Sequence, residues 1–506
     1  MRQWMVAAKK ADFYAIAEKF HVDPVVARII RNREVIGEKN IRIYLGGNLS
    51  DLSDPHQMKD MDRLVEILAQ KIRKQVHIRI IGDYDVDGVT SSHLFLTALR
   101  RVGAKVDVVI PHRIQDGYGL SLHLLQQAKE DGVDTILTCD NGIAAIDEIA
   151  WAKAQKMTVL VTDHHAVPFE EHEGRRTEKK SLADAVVNPH QQDCGYPYKE
   201  LCGAGVAWNV IRVLYENYDM DKREAEDLLD FVAMATVCDV MSLTGENRIL
   251  VKEGLKRIRH TKNIGLQALM QACNVQPENI SAYHFGYVLG PCVNATGRLD
   301  TARHALRLFE TGQETEAEEI ARDLVDLNQE RKELTLQGVE MAKKLCEEGG
   351  YENDPVLVLF LPDVHESIAG LIAGRIREMY NRPVFVLTRG EEGVKGSGRS
   401  TENYSMYENM CGCAELFTKF GGHPMAAGLS LPEENVEKFR RKINENCPLT
   451  VEEVCPDIHI DMAMPVGYAS TELVHQFALL EPFGKDNPSP LFADRNLSIS
   501  RMWVIC

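Results

Sequence analysis

Three aspartates at alternate positions, Asp83, Asp85 and Asp87, follow directly on the largely apolar run 78–82. Carboxylates this close repel one another, and they seldom all remain ionised unless a cation offsets their charge. Hard divalent metals are the usual cations, because they take oxygen ligands. The segment therefore predicts a divalent-metal site.

An EF-hand calcium loop also begins with Asp-x-Asp-x-Asp-Gly. Such a loop needs a bidentate Glu at its twelfth position, and counting from Asp83 that position is Leu94. The loop should also follow a helix, whereas here it follows a strand-like run. We therefore set the EF-hand interpretation aside.

Ligand-type residues recur later in the chain at Asp140, in the triplet Asp163-His164-His165 and at Asp239. Two divalent ions about 3.5–4 Å apart can activate a water and stabilise the leaving oxygen of a phosphoester. Such a site needs several carboxylates and one or two imidazoles. Because neighbouring side chains of an extended segment point opposite ways, we expect one histidine to ligate metal and the other to face the substrate phosphate or the leaving group. The residues thus predict a two-metal phosphoester hydrolase.

The segments around these motifs alternate between strand-like and helix-like patterns. Strand-like runs at 76–81, 105–110, 135–138, 158–161 and 185–187 are separated by helix-like stretches at 91–102, 120–131 and 144–156. This alternation predicts a parallel sheet with right-handed connections. Since open α/β sheets bind ligands outside the carboxyl ends of their strands, we expect the three motifs to converge on one edge. Asp239, in a helical segment at 228–240, could close the cluster.

The rest of the chain predicts a helical N-terminal segment, a long helix and a second α/β domain. Helical spacing marks 11–20 and 58–72, a polar helical pattern covers 310–346, and a later α/β pattern has strands at 356–361 and 383–387 with a helix at 367–379. A helix this long and polar often bridges domains. A chain of 506 residues is expected to form about three domains.

Two glycine-rich stretches, 396–400 and 421–423, are candidate phosphate-binding segments. Flexible backbone with exposed N–H groups beside Arg399 suits a phosphate, although two ordinary turns would show the same pattern. Arg113 and Arg298 are isolated basic residues that could bind phosphate or simply lie at the surface. The stretch 203–208 superficially resembles a dinucleotide fingerprint, but Trp stands in the place of its third glycine, and we interpret it as close helix packing.

Composition limits the class of protein. Hydrophobic residues make up 44% and charged residues 26% of the chain, which is typical of a globular protein. The formal net charge of −17 argues against coating of nucleic acid by the whole surface, though not against a local basic groove. No apolar run is long enough to span a membrane, and the N-terminus lacks the core of a signal peptide. Twelve scattered cysteines without a disulfide-like framework indicate a reducing cytoplasm.

Together these motifs resemble the DHH phosphoesterase superfamily. Its four metal motifs are similar to the segments 83–88, 140–142 and 163–165 and to Asp239. The Asp-Tyr-Asp form of the first motif resembles the RecJ family of single-strand-specific 5′→3′ DNA exonucleases. Further similar segments are 113–119, 188–189, 294–298, 365–370, 396–400, 421–428 and 481–484, so the resemblance covers nearly the whole chain. The chain departs from the family at Val364, where Trp is usual, and at Cys292-Val293, where Arg-Ile is common.

The resemblance implies roles for individual residues. The residues that would hold two Mn²⁺ or Mg²⁺ ions are Asp83, Asp85, Asp87, Asp140, His164 and Asp239. His165 would assist catalysis near the scissile phosphate, with Asp140 and His164 also catalytic. The residues that would recognise the substrate phosphates, including the 5′ end, are Arg113, Arg298, Ser397, Arg399, Gly422 and His423.

The resemblance also implies an α/β architecture in five segments. These are an N-terminal helical segment at 1–70, a parallel-sheet DHH domain at 71–309, a linker helix at 310–348, a smaller α/β DHH-associated domain at 349–450, and an incomplete OB-type segment at 451–506. The long helix would leave a groove wide enough only for a single strand. The implied function is 5′→3′ hydrolysis of single-stranded DNA in repair and recombination. We expect a cytoplasmic monomer, with a single-strand-binding protein and a helicase as candidate partners.

Two other functions are consistent with the same fold. DHH enzymes that cleave short oligonucleotides or cyclic dinucleotides usually carry a His upstream of their first Asp-x-Asp, whereas Ile81-Gly82 stand there in this chain. A eukaryotic replication factor keeps the fold as a scaffold without its metal ligands, but every ligand position is filled here. We therefore keep the short-oligonucleotide enzyme as the main alternative.

Overall fold

A computed structural model describes residues 4–112, 116, 119–172, 175–299, 302–351, 353–390, 393–447, 449–450, 452–453, 457–498 and 500–503. The chain forms two compact units. The larger unit contains Lys9–Asn328 and Gly467–Pro490, and the smaller unit contains Met1–Ala8, Gln329–Val466 and Leu491–Cys506.

A five-stranded parallel sheet lies at the centre of the larger unit, as the alternating pattern predicts. Its strands, in spatial order, are Val106–Val109, Ile78–Ile81, Thr135–Cys139, Thr158–Thr162 and Ala185–Val187. The register pairs Ile81 with Thr138 and Thr138 with Val161, so the carboxyl ends of the three middle strands lie level. Parallel strands covered on both faces are largely apolar, and four of these five strands are almost wholly buried, whereas the edge strand Val106–Val109 is half-buried.

Helices surround this sheet. Those of the larger unit are Phe13–Phe20, Pro24–Asn32, Glu38–Gly46, Met61–Arg73, Val86–Arg101, Leu122–Glu130, Ile146–Ala154, Gly203–Asn217, Lys222–Glu226, Leu229–Cys238, Gly245–Ile258, Ile264–Ala272, Ala282–His284, a π-helix Phe285–Leu289, Gly290–Leu299, Ala302–Glu310 and Thr471–Phe477. Val86–Arg101 is buried along most of its length and packs against Gly203–Asn217 and Leu229–Cys238. It begins five residues earlier than predicted, because Asp85 accepts a hydrogen bond from Gly88 N and caps the helix.

The smaller unit contains a mixed five-stranded sheet. Its strands, in spatial order, are Lys419–His423, Ala426–Leu431, Gly393–Arg399, Val384–Gly390 and Leu357–Phe360, and its helices are Glu366–Tyr380, Met406–Cys411 and Val436–Glu445. The expectation of flexible glycine turns at 396–400 and 421–423 is wrong, since both stretches lie mainly in strands. Packing accounts for Gly398: an added Cβ would lie 2.5 Å from Met406 Sδ and 2.7 Å from the Phe385 ring.

The predicted long helix is observed as Glu314–Glu348, 35 residues, which begins in the larger unit and ends in the smaller one. Short strand pairs are also present: Trp4–Val6 with Ile458–Ile460, Met462–Ala463 with Phe492–Ala493, and Phe169–His172 with Arg175–Glu178. Within the described ranges, no helix combines the length and the apolarity needed to cross a bilayer.

Candidate metal centre

The acidic segment lies where the strand Ile78–Ile81 gives way to the helix Val86–Arg101. Asp87 lies in the first turn of that helix, and its two carboxylate oxygens accept hydrogen bonds from Gly203 N at 2.6 Å and Ala204 N at 2.7 Å. These donors are the first amides of the helix Gly203–Asn217, where the helix dipole favours a negative charge. The second helix therefore fixes Asp87 through its N-terminus.

Gly203 also brings this helix close to the second acidic motif. An added Cβ at Gly203 would lie 2.6 Å from Asp140 Cβ, so a larger residue would push the helix away from the centre. The interpretation of 203–208 as close helix packing is confirmed. Its electrostatic role toward Asp87 was missed, although a Gly-rich helix start near predicted carboxylates was a visible signal.

Asp140, His164 and Asp239 meet Asp87 at the carboxyl edge of the sheet. His164 Nε2 lies 3.0 Å from Asp140 Oδ1, 3.6 Å from Asp239 Oδ2 and 3.7 Å from Asp87 Oδ2. Asp140 follows its strand with φ of +60°, which turns the chain sharply at the strand end. Asp239 caps the C-terminus of the helix Leu229–Cys238 rather than lying inside it.

All six predicted metal ligands fall within three overlapping donor groups. In each group the candidate donor atoms lie within 4.8 Å of one another. The groups are Asp83, Asp85 and Asp140; Asp87, His164 and Asp239; and Asp140, His164 and His165. Because Asp140 and His164 each belong to two groups, the groups form one continuous cluster.

The two histidines of the triplet do not point opposite ways, so that expectation is wrong. Their ring centroids are 4.4 Å apart, and His165 Nδ1 lies 3.9 Å from the same Asp140 oxygen that His164 approaches. The cause is Asp163, whose Oδ1 accepts hydrogen bonds from the backbone N of both histidines and so turns the segment out of its extended form. The two rings still differ in exposure, at 8% for His164 and 43% for His165.

Asp163 and Asn188 position the histidines, and neither role was predicted. Asp163 Oδ1 also accepts from His165 Nδ1 at 2.8 Å, and its Oδ2 accepts from Ile143 N. Asn188 Nδ2 donates to His165 O at 2.9 Å. Both residues directly follow sheet strands, so their place at the strand ends was the signal that could have identified them.

The carboxylates of the cluster are difficult to ionise together in the absence of a cation. Burial raises the pKa of Asp83 to about 8, and the charge of Asp85 adds to the rise. Burial, followed by the charges of Asp87 and Asp85, raises the pKa of Asp140 and Asp239 well above the ordinary value. A bound cation would remove this cost.

The pKa values of the two histidines shift in opposite directions. Burial lowers the pKa of His164, which favours the neutral imidazole that can ligate a metal. Burial also opposes protonation of His165, but the hydrogen bond to Asp163 and the charges of Asp163 and Asp239 overcome it and raise the pKa of His165 to about 9.

Several buried donor atoms at the centre fit a divalent metal. Asp83 Oδ1, His164 Nε2 and Asp239 Oδ2 make no hydrogen bond with any part of the chain that the structure describes. Buried polar atoms are normally hydrogen-bonded, so atoms in this state indicate a ligand. A set dominated by carboxylate oxygens, with one or two imidazoles, suits Mn²⁺ or Mg²⁺.

Of the two isolated arginines, Arg298 belongs to a helix that packs on the acidic segment. In the helix Gly290–Leu299, Asn294 Oδ1 accepts from Val86 N at 3.2 Å, and an added Cβ at Gly297 would lie 2.4 Å from Tyr84 O. Arg298 therefore lies beside the segment that carries Asp83 and Asp85. Arg113 lies outside the described residues.

The other predicted phosphate-binding residues lie together in the smaller unit. Ala426 is the strand partner of Arg399 on one neighbouring strand and of His423 on the other, so all three side chains lie on one face of the sheet. Ser397 lies two residues before Arg399 and therefore on the same face. Gly422 is exposed in the same outer strand. Gly370 leaves room for the arginine, since an added Cβ there would lie 2.8 Å from Arg399 Nη2.

Comparison with known proteins supports the family resemblance that the motifs indicate. Family models match over three segments: the DHH family N-terminal domain at 77–236, the DHHA1 domain at 353–447 and the RecJ OB domain at 460–505. The single-stranded-DNA-specific exonuclease RecJ of Haemophilus influenzae is 36% identical over 440 residues, which cover 83% of this chain and 74% of the relative. That of Bacillus subtilis is 33% identical over 480 residues, which cover 94% of this chain and 59% of the relative.

A solved structure of the same family has a similar fold. The crystal structure of RecJ in complex with Mn²⁺ from Thermus thermophilus matches with a TM-score of 0.82 and 28% sequence identity, over 97% of this chain and 69% of that one. A structure of RecJ from the same organism in complex with Mg²⁺ matches with a TM-score of 0.76. The motifs, the sheet and the identity to the relatives agree, and the chain belongs to the RecJ family of DHH proteins.

Proposed function

We propose that this protein is a metal-dependent exonuclease that hydrolyses the phosphodiester bonds of single-stranded DNA from the 5′ end, in DNA repair and recombination. The observation that carries the proposal is the buried cluster of carboxylate and imidazole donors, three of whose atoms make no hydrogen bond with a residue that the structure describes. Relatives that match most of this chain are named single-stranded-DNA-specific exonucleases, which supports the proposal.

Two Mn²⁺ or Mg²⁺ ions are the proposed cofactors, held by Asp83, Asp85, Asp87, Asp140, His164 and Asp239. When bound, they would activate a water and stabilise charge on the leaving oxygen. The first amides of the helix Gly203–Asn217 hold the Asp87 carboxylate in place, and Asp163 fixes the orientation of the histidine pair. These supporting contacts keep the donors in position before substrate arrives.

His165 is the proposed catalytic residue at the substrate side of the cluster. Its Nδ1–H donates to Asp163, which orients the ring, and the exposed part of the ring faces solvent rather than the core. Burial opposes protonation of the ring, but the hydrogen bond to Asp163 and the charge of Asp163 raise the pKa of His165 and favour the protonated form. We infer that this imidazolium donates a hydrogen bond to the scissile phosphate or a proton to the leaving oxygen.

Substrate phosphates are assigned to Arg113, Arg298, Ser397, Arg399, Gly422 and His423. Arginine suits this task because its guanidinium can donate two parallel hydrogen bonds to one phosphate. The shared face of Ser397, Arg399 and His423 offers a hydroxyl, a guanidinium and an imidazole to a single group, which suits the 5′ phosphate.

Further features of the protein belong to the same proposal. We propose that it acts in the cytoplasm, which suits the free thiols of the described cysteines, and that it acts as a monomer. A single-strand-binding protein and a helicase are its candidate partners. We retain the division into five segments at 1–70, 71–309, 310–348, 349–450 and 451–506.

The test is an exonuclease assay with Mn²⁺ and a 5′-phosphorylated single strand labelled at its 3′ end. We expect progressive shortening of the labelled strand, little reaction on duplex and none in Asp140→Ala. Asp134→Ala is the matched control, because Asp134 directly precedes the strand that Asp140 follows, and it pairs with Lys71 instead of facing the cluster. This control should keep full activity.

Other results would contradict parts of the proposal. A 3′-labelled strand that loses its label at once would show the opposite polarity. An intact long strand with hydrolysis of di- to tetranucleotides would identify a short-oligonucleotide phosphodiesterase. Equal activity of Asp140→Ala and wild type would remove the cluster from catalysis.

A further inference from the structure

A surface groove in the larger unit begins next to the metal centre and is not used by the proposed reaction. Its volume is about 620 Å³, and its lining includes Val240, Tyr283, Tyr287 and Lys485. Val240 directly follows Asp239, is 63% exposed and has φ of +54°, which is rare for a β-branched residue. The chain therefore turns outward into this groove immediately after a proposed metal ligand.

Two exposed tyrosines form the wall of the groove. Tyr283 is 62% and Tyr287 71% exposed, and their rings stack with centroids 5.1 Å apart and an interplanar angle of 24°. They flank the start of the π-helix Phe285–Leu289. Tyr287 lies in this π-helix and Tyr283 in the short helix Ala282–His284 before it, and single-turn π-helices often occur at functional sites.

This tyrosine pair is rigidly attached to the metal centre. Phe285 and Leu289 are fully buried beneath the pair. Cys238 Sγ donates to Phe285 O at 3.3 Å, and an added Cβ at Gly290 would lie 2.3 Å from Cys238 Sγ. Cys238 immediately precedes Asp239, so the backbone that carries the tyrosines packs against the residue next to a proposed ligand.

The charges in the groove suit a polyanion. Arg259 and Lys485 both line it and are exposed, and neither forms a salt bridge with a residue that the structure describes. Lys485 is also near enough to Asp239 to act on its carboxylate electrostatically. One carboxylate, Glu481, lines the groove as well, which leaves an excess of one positive charge.

We propose that Tyr283 and Tyr287 form a stacking platform for the unpaired bases of the substrate strand, with Arg259 and Lys485 at its phosphates. The inference rests on the proposed function and assigns a new subsite to it. Exposed aromatic faces beside unpaired cations are the features by which proteins hold single strands without reading their sequence. A protein partner would not require two parallel ring faces directly beside a hydrolytic centre.

The test compares binding of a fluorescently labelled single strand of about 15 thymidines, in EDTA so that no hydrolysis occurs, by anisotropy. We expect Tyr283→Ala/Tyr287→Ala to raise the Kd by about 5- to 150-fold, since one stacked base contributes about 1–3 kcal/mol. Tyr283→Phe/Tyr287→Phe should bind like wild type, because the ring faces are kept. Tyr14→Ala is the matched control, since Tyr14 is 78% exposed in the same unit but away from the groove.

Two further measurements separate stacking from a general loss of structure. The fluorescence of a strand that carries 2-aminopurine should be quenched when the strand binds to wild type or to the Phe variant, but not when it binds to the Ala variant. The kcat for hydrolysis of bis(p-nitrophenyl) phosphate with Mn²⁺ should be the same in wild type and in the Phe, Ala and Tyr14→Ala variants, because the metal centre is intact; any stacking of a nitrophenyl ring would change KM alone. Arg259→Ala/Lys485→Ala should lower the slope of log K against log salt by about 1.4, since each single-strand phosphate contact contributes about 0.7.

The outcomes distinguish this inference from the proposed function. Suppose that wild type shortens single strands, but the Ala variant binds them as tightly as wild type and with full quenching. The stacking platform is then wrong, and the proposed exonuclease function is unaffected. An equal loss in Tyr14→Ala would also overturn the platform. If wild type hydrolyses bis(p-nitrophenyl) phosphate but neither binds nor shortens any strand, the proposed function itself fails.

Discussion

Two charged clusters lie at opposite ends of the central sheet of the larger unit, and they differ in which charges surround their carboxylates. At the amino ends, Arg79 is 7% exposed and donates to both oxygens of Asp107, at 2.9 and 2.6 Å, and to Asp131 at 2.8 Å. At the carboxyl ends, five carboxylates crowd together, and the strongest charges acting on Asp140 are those of neighbouring carboxylates. The first cluster pairs its carboxylates with an arginine, whereas the second gathers negative charge at one place.

The pKa values follow this difference. Burial alone would raise the pKa of Asp107, but the hydrogen bond and charge of Arg79 reverse the shift and lower it. Burial raises the pKa of Asp140, and neighbouring carboxylates raise it further. A buried charge cluster whose carboxylates are paired with an arginine serves structure, whereas one whose carboxylates raise the pKa of one another indicates a ligand from outside the chain.

The largest expected effect is on catalysis. Asp140→Asn keeps the size of the side chain but removes a charge shared by two donor groups. We expect the exonuclease rate to fall by at least about 1,000-fold, as for loss of a central catalytic group. Rates measured under single-turnover conditions check this. Asp131→Asn, which removes a partner of Arg79 instead, should keep its rate within about twofold of wild type. A loss as large as that of Asp140→Asn would contradict the difference between the two clusters.

Divalent metal should stabilise the acidic cluster and not the arginine cluster. At a free Mn²⁺ concentration of about 100 times Kd, the free energy of unfolding should rise by about 2.7 kcal/mol per site. Denaturant unfolding with and without Mn²⁺ measures it. The rise should disappear largely in Asp140→Asn and persist in Asp107→Asn. No change in wild type would contradict the prediction.

Asp163 should act through the histidines and not as a ligand. Asp163→Asn weakens the hydrogen bond that orients His165, and we expect Mn²⁺ affinity or activity to fall by about 10- to 100-fold. Isothermal titration and rate measurements on the same preparation check it. Since the metal donors stay in place, the stoichiometry of binding should not change, and a lost site would instead make Asp163 a ligand.

Arg79 should matter for stability alone. Arg79→Met leaves Asp107 and Asp131 without their partner, and we expect a loss of about 2 kcal/mol, below the cost of breaking a fully buried pair because both carboxylates are partly exposed. Urea unfolding measures it. The folded variant should keep wild-type activity per molecule, and selective loss of activity would mean that the two clusters are coupled.

The smallest effect is a pH dependence. The pKa of Asp107 is lowered on folding, so its stabilisation is present above the ordinary Asp pKa of about 3.9 and disappears as pH falls through the lowered value. We expect Asp107→Asn to cost about 1 kcal/mol at pH 7, discounted for exposure, and progressively less below about pH 4. Unfolding curves of both proteins at several pH values test this, and a constant difference would contradict it.

Much of this picture was accessible from the sequence, because its signals are local. The alternation of apolar runs predicted the parallel sheet, and the place of Asp83, Asp140 and His164 after those runs predicted their convergence. The register of the strands determines how close these residues come, because parallel strands whose ends lie level bring the residues that follow them together.

Other features depend on contacts that no local pattern encodes. The cap that Asp85 provides moved the start of a helix, and Asp163 turned a segment expected to be extended. The glycines near Arg399 resembled turns, but they are small because neighbouring side chains pack against the strand. The amides that hold Asp87 come from a helix more than a hundred positions away, which only the tertiary structure reveals.

The most direct test of the central claim is the number of Mn²⁺ ions bound per chain, measured by equilibrium dialysis and elemental analysis. The crowded acidic cluster predicts two ions in wild type, two in Asp107→Asn and fewer than two in Asp140→Asn. No bound ion in wild type, or equal binding in wild type and Asp140→Asn, would contradict the assignment of the acidic cluster as a metal centre.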